Sequence, residues 1–198
     1  MTRLFAACFR IALLPVVAAG FLWGCAAGTR PVETLSDPAA QRLKPGLAVR
    51  YYDGLFRHVR EVPEDEILLK QSRPGKPISF LDHQFGGGEV FGSGKSEGVG
   101  MRLEGFIRLQ PAGIYRFKAL SNDGVAVRIG ENALLYDPDV HSDRWTEPAD
   151  FRAPEAGWYP IHIRYFQRKG TAALRLHWQT PGSEEFVPIP AAAYAHLP

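Results

Sequence analysis

The chain has 198 residues, enough for one domain with short extensions, and 45% apolar against 22% charged residues suits a protein with a packed core. With 23 basic and 21 acidic residues, the net charge of +2 is too small to point to a nucleic-acid partner. Its 20 glycines, 16 prolines and 12% aromatic residues favour many turns between short strands over helices.

The first segment, "MTRLFAACFR", carries Arg3 and Arg10 and no acid, and "IALLPVVAAGFLWG" after it is almost wholly apolar. That run is shorter than the roughly 20 residues of a comfortable membrane span and fits the apolar part of a secretory signal peptide. It ends in Leu22, Trp23, Gly24 and Cys25: an aliphatic residue, a variable one, a small one, then cysteine. This resembles the lipobox of bacterial lipoproteins, with Trp23 bulkier than the usual residue at its position. The resemblance implies a signal peptide over 1–24, cleavage before Cys25, acylation of Cys25 with palmitate-type chains, and a membrane partner reached through that lipid. Cys8 leaves with the signal, so the mature chain has neither a free thiol nor a disulfide, which suits an oxidising compartment. Losing Arg3 and Arg10 also leaves basic and acidic residues equal in number. Ala26 stands where lipoproteins kept at the inner membrane commonly carry Asp, which points to the outer membrane of a bacterial cell envelope.

Residues 25–43, the lipidated N-terminus and "AAGTRPVETLSDPAAQRL", are small, polar and proline-containing, as expected of a flexible tether. The domain is expected over 44–198. "GLAVRYYDG" predicts a first strand closed by a turn at Asp53-Gly54. Glu61, Glu64, Asp65 and Glu66 crowd around Pro63 with no partner in view and predict a solvated loop. "FGGGEVFGSGKSEG" lacks the lysine spacing and following helix of a phosphate loop and predicts a mobile loop between strands.

Period-two alternation then becomes regular. Met101, Leu103, Ile107 and Leu109 share one face, with Arg102, Glu104 and Arg108 on the other. Tyr115 and Phe117 oppose Arg116 and Lys118. Val125, Val127 and Ile129 oppose Arg128. Tyr159, Ile161, Ile163 and Tyr165 oppose His162 and Arg164, with Pro160 suiting an edge or a bulge. Leu174, Leu176 and Trp178 oppose Arg175 and His177. Strands with one apolar face each, and no helical period, predict an all-β antiparallel β-sandwich, jelly-roll-like, around one core. The outward arginines are either an anion-binding surface or solvated strand faces; the even charge of the mature chain favours the second.

Asn122-Asp123-Gly124 stands at the mouth of a strand. It suits an ordinary turn, because Asn and Asp bond their own backbone and Gly accepts positive φ, and equally a pair of oxygen ligands.

The order of pieces from "RLEGFIRLQPAGIYRFKALSNDGVAVRIGENALLYD" to "AGWYPIHIRYFQRKGTAALRLHWQTPG", with "GLAVRYYDG" before them, resembles the fourteen-kilodalton domain first described in a bacterial toxin's protective antigen, the PA-type domain. The resemblance covers about residues 46–190. It implies a β-sandwich that is not itself a catalyst, binds carbohydrate in several adhesins, and has structural roles elsewhere. In the family's calcium-dependent sugar binders, two consecutive Asp residues hold the ion across a cis peptide. The matching positions are Asn122 and Asp123, so one negative charge is lost. Calcium takes roughly 6–8 oxygens. The loop "YDPDVHSDRW" offers Asp137, Asp139 and Asp143, and Trp145 offers a face on which a sugar can stack. The six histidines lack metal-ligand spacing, and no nucleophile–base motif is visible. The expected function is therefore a lipid-anchored, non-catalytic module that binds glycan or polysaccharide, with calcium assisting. The alternative is a structural module that docks an envelope protein and binds neither sugar nor calcium.

Overall fold

The computed structural model describes residues 32–64 and 71–198. The signal peptide expected over 1–24, Cys25, the start of the tether, and the acids Asp65 and Glu66 lie outside the described residues. Among the described residues a short helix, α1 (Asp37–Ala40), precedes β1 (Lys44–Pro45), β2 (Ala48–Asp53), β3 (Arg73–Pro74), β4 (Asp82–Gly86), β5 (Val99–Leu109), β6 (Gly113–Asn122) and β7 (Val125–Ile129). There follow β8 (Asn132–Asp137), β9 (Arg144–Trp145), β10 (Ala149–Ala153), β11 (Gly157–Gln167), β12 (Ala172–Gln179), β13 (Val187–Pro188) and β14 (Tyr194–His196).

These strands make two antiparallel sheets. The eight-stranded sheet runs β1-β14-β5-β11-β7-β8, with β2 also paired to β5 and β3 to β2. The six-stranded sheet runs β10-β6-β12-β13, with β4 also on β12 and β9 on β6. The alternating apolar residues supply the two inner faces: Met101, Leu103, Ile107 and Leu109 of β5 and Tyr159, Ile161, Ile163 and Tyr165 of β11 are buried against Tyr115, Phe117, Leu174, Leu176 and Trp178 of the other sheet. Full burial of such a side chain contributes about 1.5–3 kcal/mol. A register slip of one residue would turn a whole strand's set to water, so the pairing is strongly specified.

The structure departs from the alternation where a second contact intervenes. His177, expected outward, is 8% exposed, because Asp82 accepts from its Nε2 at 2.9 Å and the Trp145 ring meets it edge-on at 4.8 Å. Pro160 lies inside β11 between two neighbours rather than at an edge. Its missing N–H falls beyond the end of β7, on the side where its carbonyl accepts from Gly130 at 2.8 Å. The glycine-rich stretch is seated rather than loose. Val90 is fully buried, Ser93 is 2% exposed, and Arg73 donates to the Ser93 carbonyl at 3.1 Å. Glu64, in the loop expected to be solvated, pairs with Arg164 at 3.0 Å.

β6 ends at Asn122 and β7 begins at Val125, so the chain crosses between the sheets through Asn122-Asp123-Gly124, and the 122–123 peptide is cis. The β4–β5, β8–β9 and β11–β12 connections lie at this same rim. From Val32 on, the stretch expected as a flexible tether is docked at the opposite end. Val32 packs against the core beside Gly130, Thr34 lies on Gly157, and the Leu35 N–H donates to the Trp158 carbonyl at 2.8 Å.

Candidate functional site

The rim of the six-stranded sheet gathers polar residues that are far apart in sequence. Asn122, the last residue of β6, stands opposite Ala173 of β12, and Ala173 stands opposite Gln84 of β4. On the other edge of β6, β9 pairs through Arg144 with Ser121 and through Trp145 with Leu120. This register brings Gln84, Asn122 and Asp143 to one place. The Asp143 carboxylate accepts from Gln84 Nε2 at 2.7 Å and from Asn122 Nδ2 at 2.8 Å, and Asn122 Nδ2 also reaches Thr171 Oγ1 at 3.1 Å. These residues, with Gly86, Ser142 and Ala172, line an open cleft of about 500 Å³.

Trp145 follows Asp143 by two residues, at the end of β9, and lines a separate recess with Leu134, Tyr136 and Glu147. Trp145 is 37% exposed, and Lys118 Nζ lies 4.2 Å from its ring centroid, a cation–π contact. Behind it Asp82 binds both His177 and Arg175, and the Arg175 guanidinium holds the Asp82 carboxyl below the usual carboxylate range.

The other expected ligands go elsewhere. Asp123 is 3% exposed and turns inward, accepting from the backbone N–H of His141 at 3.2 Å and of Arg168 at 2.7 Å. Burial raises its pKa, against the lowering effect of those two bonds. Asp123 therefore ties the 138–143 loop to the 168–171 loop instead of facing the cleft. Asp137 is taken by Arg144, whose Nε donates at 2.7 Å, and by His141 Nε2 at 3.3 Å. The Arg144 hydrogen bond lowers its pKa. Asp139 is exposed and outside the cleft, its backbone bridged to His58. Of the six candidates, then, Asn122 and Asp143 line the cleft, Trp145 and Asp137 line a separate recess beside Tyr136 and Glu147, and Asp123 and Asp139 enter neither. Gln84 and Thr171 were missed by sequence reasoning. Gln84 carries no local signal, since only the pairing of β4 with β12 brings it to Asp143.

The cleft's donor set can be tested against calcium. Asp143 is the one carboxylate lining it, beside two amides and the Thr171 and Ser142 hydroxyls, and both Asp143 oxygens already accept from amides. Among the described residues no three His, Cys, Asp or Glu side chains converge. Calcium favours roughly 6–8 oxygens, with carboxylates among them. The side chains present do not fit that shell. They fit partners with hydroxyls, which donate to a carboxylate and accept from an amide.

A comparison with curated proteins finds no match. Among solved structures, the PA14 domain of the antifreeze protein MpAFP aligns with a TM-score of 0.61 and 18% identity, covering 83% of this chain and 95% of that one. The A domain of epithelial adhesin 9 from Candida glabrata, in complex with Galb1-4GlcNAc, aligns with a TM-score of 0.63 and 14% identity, covering 85% and 95%. A PA14 sugar-binding domain from an RTX adhesin gives 0.56 and 18%, covering 77% and 98%. These likenesses establish the shared sandwich. The PA14 domain profile matches residues 77–191, from just before β4 to the turn before β14 and across every residue of the rim cleft. The chain belongs to the PA14 domain family.

Proposed function

We propose that the rim cleft binds carbohydrate by direct hydrogen bonding, as a non-catalytic recognition module. The observation that carries this is the exposed Asp143 carboxylate, fixed by Gln84 and Asn122 at the edge of a 500 Å³ cleft. A cleft of that size falls within the range of about 300–1,000 Å³ typical of small-ligand sites. Sugar hydroxyls meet an acceptor in Asp143 and mixed donors and acceptors in Asn122, Gln84 and Thr171, and a sugar chain that extends past Asp143 reaches the ring of Trp145 in the neighbouring recess. Two proteins of the same fold support it: the Candida glabrata adhesin domain, solved in complex with Galb1-4GlcNAc, and the domain of the RTX adhesin, described as sugar-binding.

The test is a glycan array followed by calorimetry on the best ligand. Asp143→Ala and Trp145→Ala should each weaken binding at least tenfold, about 1.4 kcal/mol. Chelator should leave binding unchanged. Full binding by Asp143→Ala would remove the cleft from the reaction. Loss of binding in chelator, restored by calcium, would replace direct hydrogen bonding with the ion-assisted mode of the family's calcium-dependent members.

We further propose that the domain is held at the bacterial envelope, on the outer membrane, by lipid at Cys25, as the Leu22–Cys25 pattern supports. Two or more acyl chains, at about 0.8 kcal/mol per buried methylene, anchor firmly. Labelled palmitate fed to expressing cells should enter the wild-type chain and not Cys25→Ser, which should leave the membrane fraction. Equal labelling of the two would overturn the anchor.

A further inference from the structure

We propose that the outer face of the eight-stranded sheet carries a second site, built by Arg102, Arg128 and Arg164, that takes a single phosphate-type oxyanion.

The pairing register sets up this site. Arg50 of β2 stands directly opposite Arg102 of β5, and Arg102 stands directly opposite Arg164 of β11. Neighbouring strands lie about 4.8 Å apart, so three guanidinium side chains leave one face in a row across three strands. Like charges directly opposite one another destabilise a sheet. Arg128 of β7 stands opposite His162 of β11, two positions from Arg164 and on the same face, and extends the row into a cluster.

Among the described residues two glutamates face the arginines of the recess, and the Glu64 carbonyl accepts from Arg102 Nη1. Glu104 accepts from Arg102 at 2.6 Å and also contacts His162 Nδ1 at 3.1 Å. Glu64 pairs with Arg164 at 3.0 Å. Arg50 donates to the Ser72 hydroxyl at 2.6 Å. Arg128 makes no ion pair among the described residues. Three arginines and two glutamates thus surround a recess of about 70 Å³. The Arg102 and Arg164 side chains are only 16% and 19% exposed, so water screens them weakly. Burial is the chief cause lowering the Arg164 pKa; Glu64 opposes it, and Arg128 and Arg102 add smaller lowering effects.

The recess is far below the size of a small-ligand pocket and suits one charged group. Guanidinium forks bind phosphate oxygens in pairs, and three around one recess surround a tetrahedral anion better than a flat carboxylate. Such a group arrives as free phosphate, as part of a soluble phosphorylated molecule, or as a lipid headgroup. The site is on the opposite sheet from the rim cleft and does not depend on glycan binding.

The test is calorimetric titration of the full-length protein with inorganic phosphate, with chloride holding ionic strength constant. Wild type should show saturable binding, at least tenfold weaker in Arg128→Gln. Arg116→Gln, which removes a cation already paired with Asp150 at 3.0 Å on the other sheet, should bind like wild type. No saturable binding, or unchanged affinity in both Arg128→Gln and Arg164→Gln, overturns the site. A second arm compares co-sedimentation of wild type and Arg128→Gln with phosphatidylcholine vesicles, with and without phosphatidylglycerol. An Arg128-dependent gain on the anionic vesicles supports the site with a headgroup as its ligand. Phosphate binding without that gain supports it with a soluble phosphate.

Discussion

Asp123 keeps both carboxylate oxygens on backbone N–H groups, those of His141 and Arg168, with 3% of its surface exposed. An amide in its place aims an NH2 at one of these donors and leaves a buried N–H unpaired, which costs about 1–3 kcal/mol. At about 2–4 °C per kcal/mol for a body of this size, Asp123→Asn should melt roughly 2–12 °C lower. Because burial raises the Asp123 pKa, the folded protein holds this proton to higher pH than the unfolded chain does. The contribution is full below the unfolded value, near about 4, and is lost as pH rises through the folded value. The destabilisation by Asp123→Asn should therefore be larger at pH 4 than at pH 7 in urea melts. The reverse order would show that the ionised carboxylate is the form the fold prefers. The neighbouring Asn122, 5% exposed, bonds two side chains at the cleft, Asp143 and Thr171, rather than backbone N–H groups, so Asn122→Ala should weaken sugar binding while costing less stability than Asp123→Asn.

β5 changes partner along one edge, pairing with β2 up to Glu104 and with β14 from Phe106. Gly105 stands at the handover, where a Cβ would lie 2.2 Å from the Ala195 carbonyl oxygen, a backbone atom with no room to withdraw. Gly105→Ala should cost about 3 kcal/mol, the upper end of overpacking. Gly87→Ala, with nothing within 4 Å of its Cβ position, should stay within about 0.5 kcal/mol of wild type. Equal melting points for the two would mean that β14 is not held against β5 at this position. Elements of this kind were legible in the sequence as far as their physics is local. The alternation of Met101, Leu103, Ile107 and Leu109 depends only on one strand having one wet and one dry face, and it located β5. The handover at Gly105, the burial of Val90 in a glycine-rich stretch, and the meeting of Gln84 with Asp143 depend on which strand lies beside which. That information is spread over long sequence separations and leaves no period to read. Asn122 was legible through the order of motifs around it. The inward turn of Asp123 was not, because its partners are backbone groups of two distant loops.

Across the domain the two ends are closed by different means. At the rim, the Asp123 N–H donates to the Phe166 carbonyl at 3.1 Å between the sheets, and the Asp123 side chain ties two loops. At the opposite end, Val32–Leu35 lies across the β7–β8 and β10–β11 turns, held by part-buried Val32, by Thr34 Oγ1 donating to Glu155 at 2.6 Å and by the Leu35 N–H on Trp158. Two hydrogen bonds at about 0.5–1.5 kcal/mol each and partial burial of one valine at about 1.5 kcal/mol come to about 2.5–4.5 kcal/mol. Ordering four residues of backbone costs about 4–8 kcal/mol. The segment is thus held with little or no margin and should open locally long before the sheets separate. In native-state hydrogen exchange the Leu35 amide should exchange at least a hundredfold faster than the Asp123 amide, although both donate to a carbonyl. Removing the Thr34 hydroxyl with Thr34→Val should speed Leu35 further and leave Asp123 unchanged. Equal protection of Leu35 and Asp123 would mean that the entry segment belongs to the cooperative core. The predicted difference would leave the rim fixed in shape while the chain leading into the domain yields, so that a ligand meets a preformed cleft whatever the tether does.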